Sequence, residues 1–471
     1  METKLSRKIY GSLIKWKEAP SRNPLILDGA RQVGKTWIVE EFGAEEFSGM
    51  VKVDFKKTSE ANSFFEDTLD PSIIIPRLES FTGKNITPGK TLLFFDEIQD
   101  SPRVVASMKY FSSDRPDLHL IGAGSMLGLK IRGNEPFPVG KVDLLRLRPL
   151  DFIEFLDAME KSEMKELLET GTPQQIDSLH DDFCSMLRVY LYTGGMPAVV
   201  RTFVETFSFD AARQKQKDLL AQYRADAPKY AEPELVPKIH AVWDSIPAQI
   251  MKEHSNRFHY SRINENGGRS ERRKRTYGDA VQWLVDAGSV NRVCIVNPLS
   301  APLSSNADES IFKLYPLDCG LLGAMYDSSA EDILSQGGRF DSYKRALTET
   351  YVLEQILSSG RIDNAYYYGS KDNEHIEIDF VIEINGNEVP IEVKSGTRVE
   401  SASLGAYLRK NPDAIAVRTS LRHFGQTDRI VSVPLYNIGA WIARMSRKES
   451  ESPIVKQVEN MLRNGDIPGK A

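Results

Sequence analysis

The chain has 471 residues, 41% hydrophobic and 27% charged, a composition that excludes a disordered, collagen-like or fibrous protein. At roughly 150 residues per domain it holds about three domains, each large enough to bury a core. Lysine and arginine number 60 against 66 aspartate and glutamate, so the net charge is −6; this argues against a globally basic nucleic-acid binder and leaves local basic patches open.

The segment 1–10 is polar and lacks the apolar core of a secretory signal. No apolar run approaches the about 18 residues of a membrane span, so no membrane partner is expected. Cys184, Cys294 and Cys319 show no CxxC spacing, which speaks against a disulfide framework or a zinc ribbon. They fit a reducing cytosol, and the expected location is cytoplasmic.

Residues 1–160 alternate short apolar strands with helical stretches, the pattern of a parallel α/β sheet. Strands are predicted at 25–28, 50–55, 91–96, 118–122 and 141–147. Between the first strand and the helix that follows, Gly29-Ala30-Arg31-Gln32-Val33-Gly34-Lys35-Thr36 matches GxxxxGK(S/T) in full. Phosphates need backbone N–H donors at close range, which the glycines permit. Lys35 is expected at the β- and γ-phosphates, and Thr36 on Mg²⁺. The strand LLFF delivers Asp96 and Glu97 to the sheet's carboxyl edge. Asp96 is expected to hold Mg²⁺, and Glu97 to orient or deprotonate the attacking water. Ser125, at the polar end of the next strand, is a candidate γ-phosphate sensor. The expected cofactors here are ATP and Mg²⁺.

Residues 161–335 read as mainly helical, with helices in MKELLETG and DDFCSMLRVYLY and a third ending at Gly288. The strands VNRVCIV and FKLYPL follow, the layout of a winged helix. Arg269, Arg272, Arg273, Lys274 and Arg275 cluster after Gly267-Gly268, a positive segment suited to the phosphate backbone of DNA or RNA.

Residues 336–471 open with a linker, SQGGRF, then the helix RALTETYVLEQIL and the strands YYYG, IEIDFVIEI and VPIEVKSG. A second helix, LGAYLRKN, and the strands AIAVRT and IVSVPL complete the domain. Asn385-Gly386 predicts a two-residue hairpin turn that pairs Ile384 with Asn387. Asp379 then faces Glu392, and Glu377 faces Lys394, all four on one face, with Ile376, Ile378, Phe380, Ile382 and Ile384 on the other. Facing carboxylates repel unless a cation compensates. An acid followed by E-x-K on the next strand is the arrangement of a PD-(D/E)xK nuclease. In it Asp379 and Glu392 bind a second Mg²⁺ or Mn²⁺, Lys394 positions water, and Glu349 contributes from the preceding helix, with Glu354 second in line.

The blocks DGARQVGKT, FFDEIQDSP, GSMLGL, FPVGKVDLLRLRPLDFIEFL, YTGGMPAVV, WDSIPAQI, RFHYSRI, FKLYPLDCGLL, EIDFVIE and EVKSG, in that order, resemble the prokaryotic AAA-type ATPases of the AAA_14 class. The C-terminal half of those proteins is the DUF4143 domain. The resemblance implies a P-loop domain over 1–160, a winged-helix-like region over 161–335 that raises the DNA-contact reading, and a nuclease-like domain over 336–471. Many members carry Gly-Arg where this chain has Gly140-Lys141, with Arg132 a nearby alternative for an arginine trigger. The expected function is an ATPase whose nucleotide state controls a nuclease-like domain. The alternatives are a nucleotide-gated switch or scaffold with an inactive C-terminal domain, acting on a protein partner or by self-association, and a DNA-binding regulator with slow turnover.

Overall fold

The computed structural model of the chain describes residues 4–125, 137–251, 257–263, 270–335, 341–369, 376–396, 402–412 and 414–446, with the side chains of 270–273 and 341–343 outside that description. The chain forms two compact units, each discontinuous in sequence. One comprises 1–150, 195–245 and 260–291; the other comprises 151–194, 246–259 and 292–471. This partition differs from a linear one with boundaries at 160 and 335.

The first unit is built on β1 (Leu25–Asp28), β2 (Gly49–Asp54), β3 (Thr91–Asp96), β4 (His119–Ala123) and β5 (Asp143–Arg146), in the order β2-β3-β4-β1-β5. Every pairing is parallel. Parallel strands are covered on both faces and so read as unbroken apolar runs, and all six residues of β3 are buried. Around β3, Phe55, Phe65 and Phe111 meet Phe95 edge to face at centroid distances of 5.4, 5.8 and 6.0 Å. Phe95→Ala would remove the centre of that cluster at a cost of about 3–5 kcal/mol. The helix Pro71–Thr82 shows the local logic of the connections. Asp70 Oδ1 accepts the Ser72 N–H at 2.8 Å, Pro71 fills the first turn, and Gly83 ends the helix at φ 66°. Parallel register brings Asp28, Asp96 and Ala123 to one carboxyl edge.

The second unit holds an eight-stranded sheet of β6 (Val290–Val296), β7 (Ala307–Pro316), β8 (Tyr366–Gly369), β9 (Glu377–Ile384), β10 (Asn387–Val393), β11 (Ala416–Ser420), β12 (Gly425–Thr427) and β13 (Ile430–Pro434). The order is β12-β13-β11-β10-β9-β8-β6-β7, and the sheet is mixed. The two strands expected as a winged-helix hairpin are β6 and β7. They do not stand apart, because β6 pairs in parallel with β8 and so extends the sheet of the C-terminal domain. Their preceding helix, Ser270–Asp286, belongs to the first unit. The linker expected at SQGGRF falls largely outside the described residues, at 336–340.

The β9–β10 hairpin has the expected register, with Ile384 opposite Asn387. Asn385 and Gly386 take φ values of 51° and 76°, as a turn with two successive left-handed residues requires. The strict alternation expected along β9 does not hold. Between Tyr366↔Val381 and Tyr368↔Ile378, β8 advances two residues and β9 three, so β9 carries a bulge. Val381, rather than Phe380, therefore joins Ile376 and Ile378 in the cluster with Leu404, Tyr407 and Ala416.

Candidate functional site

The phosphate loop runs from the end of β1 into the helix Lys35–Glu46. Three of its residues are left-handed or nearly so: Gly29 at φ 153°, Gln32 at 63° and Gly34 at 95°. A Cβ on Gly29 would collide with the Leu147 carbonyl, so that position admits only glycine. Ala30 and Val33 are buried beneath the loop. Lys35 folds back, donating from Nζ to the carbonyls of Gly29 at 2.8 Å and Ala30 at 2.7 Å. Burial lowers its pKa to about 8, against the opposing pull of Asp28, Glu97 and Asp96. An ammonium held on two neutral carbonyls in a desolvated loop is placed to take an anion.

Thr36 Oγ1 donates to Asp96 Oδ1 at 3.2 Å, bringing together the two residues expected on Mg²⁺. Asp96 is buried, and burial raises its pKa; the ammonium of Lys52 opposes that rise from 3.1 Å. Glu97 sits in the left-handed region at φ 56°, a conformation that costs a non-glycine residue roughly 1 kcal/mol or more and recurs at functional sites. Gln99 joins two of the expected residues: its Nε2 donates to Glu97 Oε2, and its Oε1 accepts the Ser125 N–H at 3.2 Å.

Several residues that sequence reasoning passed over surround this loop. Lys52 lies on β2, two residues before Asp54, the partner of Asp96 in the ladder. Arg31 pairs with the buried Asp226 of the helix Phe209–Tyr230, and the Tyr223 hydroxyl donates to the Arg31 carbonyl at 2.7 Å. Arg7 donates from Nη1 to the Val33 carbonyl at 2.9 Å. Each partner comes from a distant stretch of chain, and none carries a local signal. Lys141, at the position expected for an arginine trigger, is exposed, and Arg132 lies outside the described residues.

In the second unit, the β9–β10 ladder ends at Phe380 opposite Ile391, and the next residues on the two strands are Asp379 and Glu392. Both are buried. Asp379 Oδ2 accepts the Val393 N–H at 2.8 Å. Burial, then the negative charges of Glu392 and Glu349, push the Asp379 carboxyl well above the usual range. Lys394 Nζ donates to Glu392 Oε1 at 2.7 Å. Glu349, on the helix Asp341–Ser358, reaches this region, where Arg345 links it to Asp379. The guanidinium donates from Nε to Glu349 Oε1 at 2.6 Å and lies 3.5 Å from Asp379 Oδ1. The Tyr315 hydroxyl donates to Glu349 Oε2 at 2.9 Å. Glu377 pairs with the buried Lys313 at 2.8 Å and sits opposite Gly369 on β8, and the β9–β10 ladder stops at Phe380 and Ile391, before the positions of Glu377 and Lys394. Glu354 accepts from the Tyr190 hydroxyl at 3.4 Å, away from these acids. Arg345 went unnoticed although it lies one helical turn before Glu349.

Of the basic segment, Lys274 and Arg275 are exposed on the helix Ser270–Asp286. Arg269 and the side chains of Arg272 and Arg273 lie outside the described residues. Among the described residues no helix is long and apolar enough to cross a membrane.

Family models match three consecutive stretches: an AAA domain (AAA_14) at 21–156, a domain of unknown function (DUF8612) at 185–332, and a domain of unknown function (DUF4143) at 344–438. DUF4143 thus occupies 344–438 rather than the whole C-terminal half. No curated protein matches the chain. Among solved structures, the Walker-type ATPase PABY2304 of Pyrococcus abyssi is 12% identical with a TM-score of 0.42, covering 69% of this chain and 96% of its own. The Orc1 protein of Aeropyrum pernix in complex with DNA is 11% identical with a TM-score of 0.28, covering 68% and 91%. A STAND protein with a tetratricopeptide repeat sensor from Pyrococcus horikoshii is 14% identical with a TM-score of 0.26, covering 76% and 46%. The phosphate loop lies in the stretch that matches the AAA domain (AAA_14), and the bulged hairpin lies in the stretch that matches DUF4143.

Proposed function

We propose that the protein binds ATP at the loop Gly29–Thr36 and hydrolyses it with Mg²⁺. The observation that carries this reading is the contact of Thr36 with Asp96 at the carboxyl edge, beside a Lys35 ammonium folded onto the loop's own carbonyls. Phosphate oxygens offer Lys35 a stronger partner than two neutral carbonyls, so it exchanges them for the β- and γ-phosphates. The backbone N–H groups of the loop, at the start of the helix Lys35–Glu46, take the remaining phosphate oxygens. Thr36 and Asp96 would hold Mg²⁺, which neutralises charge on the phosphates. Glu97 orients or deprotonates the attacking water, and Gln99 fixes Glu97 relative to Ser125, the γ-phosphate sensor. The test is phosphate release from ATP–Mg²⁺ together with calorimetric ATP binding. Lys35→Ala should abolish both, and equal affinity in wild type and variant would sink the assignment.

For the second unit, Arg345 favours the switch or scaffold over an active nuclease. Its guanidinium stands between Glu349 and Asp379, so a cation built into the fold already balances two of the acids a nuclease would present to a metal. ATP turnover would then bias a domain that binds a protein partner or another copy, while DNA or RNA would be contacted from the first unit through Lys274 and Arg275. The cytoplasm suits three free cysteines. Incubation with DNA and RNA in Mg²⁺ or Mn²⁺, with and without ATP, decides the point: cleavage that disappears in Asp379→Ala would restore the nuclease.

A further inference from the structure

The second unit brings together Asp177, His180 and His423, residues with no part in either site above. One ligand atom from each lies within 4.8 Å of the other two, and among the described residues this is the group of three or more histidine, cysteine or acidic side chains that meets that condition. Asp177 closes the short helix Pro173–Asp177, His180 opens the helix His180–Thr193, and His423 lies between β11 and β12. His423 Nδ1 is 3.4 Å from Asp177 Oδ1. The imidazoles of His180 and His423 stack with centroids 3.9 Å apart and an interplanar angle of 28°.

His423 is an exposed side chain whose ring lies against His180 and whose Nδ1 faces the Asp177 carboxylate. The three side chains make an ordinary ligand set. Zinc takes histidine nitrogen and carboxylate oxygen at about 2.0–2.2 Å in a tetrahedral shell, so two such ligands lie roughly 3.3–3.5 Å apart. The Asp177–His423 separation falls in that range. Zinc-bound histidine also needs a partner on its second nitrogen. His180 has a neighbour at each: the Tyr436 hydroxyl 3.0 Å from Nδ1 and Cys184 Sγ 3.5 Å from Nε2. An ion would displace the neighbour on the nitrogen it takes, and the contact on the other nitrogen would orient the ring. Tyr436 is itself fixed by stacking on Phe183 at 4.8 Å.

We propose that Asp177, His180 and His423 form a binding site for a divalent transition cation of the Zn²⁺ class, with water in the fourth position. The ion would clamp the loop containing His423 to the helix His180–Thr193. The Phe424 N–H, 3.4 Å from Asp177 Oδ1, marks where that loop already touches the site. Nitrogen and carboxylate donors together favour Zn²⁺ over Mg²⁺, so the site is distinct in chemistry from the Thr36–Asp96 pair.

The test uses the full chain, stripped of metal, titrated with Zn²⁺ by calorimetry and with Co²⁺ by visible spectroscopy. The expected result is one Zn²⁺ per chain that His423→Ala and Asp177→Ala each weaken by at least about tenfold. The intense visible absorption of four-coordinate Co²⁺ should vanish in both variants. His423 is 62% exposed, so His423→Ala should keep the fold, checked by unchanged circular dichroism, while losing the rise in Tm that Zn²⁺ gives the wild type. Equal Zn²⁺ affinity in wild type and His423→Ala, or the lack of any four-coordinate Co²⁺ spectrum in the wild type, would overturn the site.

Discussion

Lys52 holds its ammonium 3.1 Å from Oδ2 of Asp96, while the Thr36 hydroxyl donates to Oδ1 of the same carboxylate at 3.2 Å. Burial favours the neutral acid, and Lys52 opposes it. Lys52→Met removes that opposition, so Asp96 should ionise only at higher pH. If ionised Asp96 is needed for Mg²⁺–ATP, the acidic limb of the kcat/KM profile should move up by roughly 1–3 pH units. A limb that stays in place would show that Lys52 does not set the Asp96 charge during turnover.

Glu97→Gln should retain ATP binding and slow hydrolysis by about 10²–10⁴-fold, as loss of a general base does. Gln99→Ala removes the link between Glu97 and Ser125 without touching either. It should lower kcat while leaving KM for ATP nearly unchanged. Steady-state phosphate release on the two variants separates the roles, and a rise in KM alone in Gln99→Ala would assign Gln99 to binding.

The Asp379 carboxyl is raised by burial and by Glu392 and Glu349. Its folded pKa lies above its unfolded value of about 3.9. Its contribution to stability is therefore complete below that pH and is lost as pH rises toward the folded pKa. Asp379→Asn should flatten this fall and leave the protein more stable than wild type on the alkaline side, by on the order of 1–3 kcal/mol. Urea denaturation across the pH range reads the effect directly. A steeper fall in the variant would mean that the ionised acid is stabilised by a cation.

Reversal of the exposed pair Lys274 and Arg275 to Glu should weaken DNA or RNA binding and flatten its salt dependence. Every phosphate that the pair no longer neutralises should reduce the log–log slope by about 0.7–0.9. Fluorescence anisotropy over a salt series measures this, and an unchanged slope would mark the two side chains as merely solvated.

Features set by local stereochemistry were legible in the sequence, and features set by neighbours were not. Asn385-Gly386 announced its turn because few residue pairs tolerate two successive positive φ values, and the hairpin register followed. The bulge in β9 depends on how β8 pairs alongside, and no residue of β9 declares it. The loop Gly29–Thr36 and the buried run before Asp96 were readable, since both are continuous in the chain. The link from Lys52 to Asp96 needed the order of strands. Arg345 shared a readable helix with Glu349, yet its reach to Asp379 is a tertiary fact. His180 and Cys184 are one helical turn apart, but His423 arrives from far along the sequence.

The parallel pairing of β6 with β8 bears on how this protein can be divided. A fragment cut to the 344–438 match would begin after β7 and lose both strands that lie beyond β8. β8 would become a raw edge, with unpaired N–H and C=O groups along Tyr366–Gly369 ready to capture another chain. Such a fragment is expected to aggregate or to pair edge to edge, whereas one starting at Val290 keeps β6 and β7 beside β8 and has on that side the edge strand of the full sheet, β7. The smallest autonomous piece of the C-terminal domain is therefore larger than the stretch by which its family is recognised.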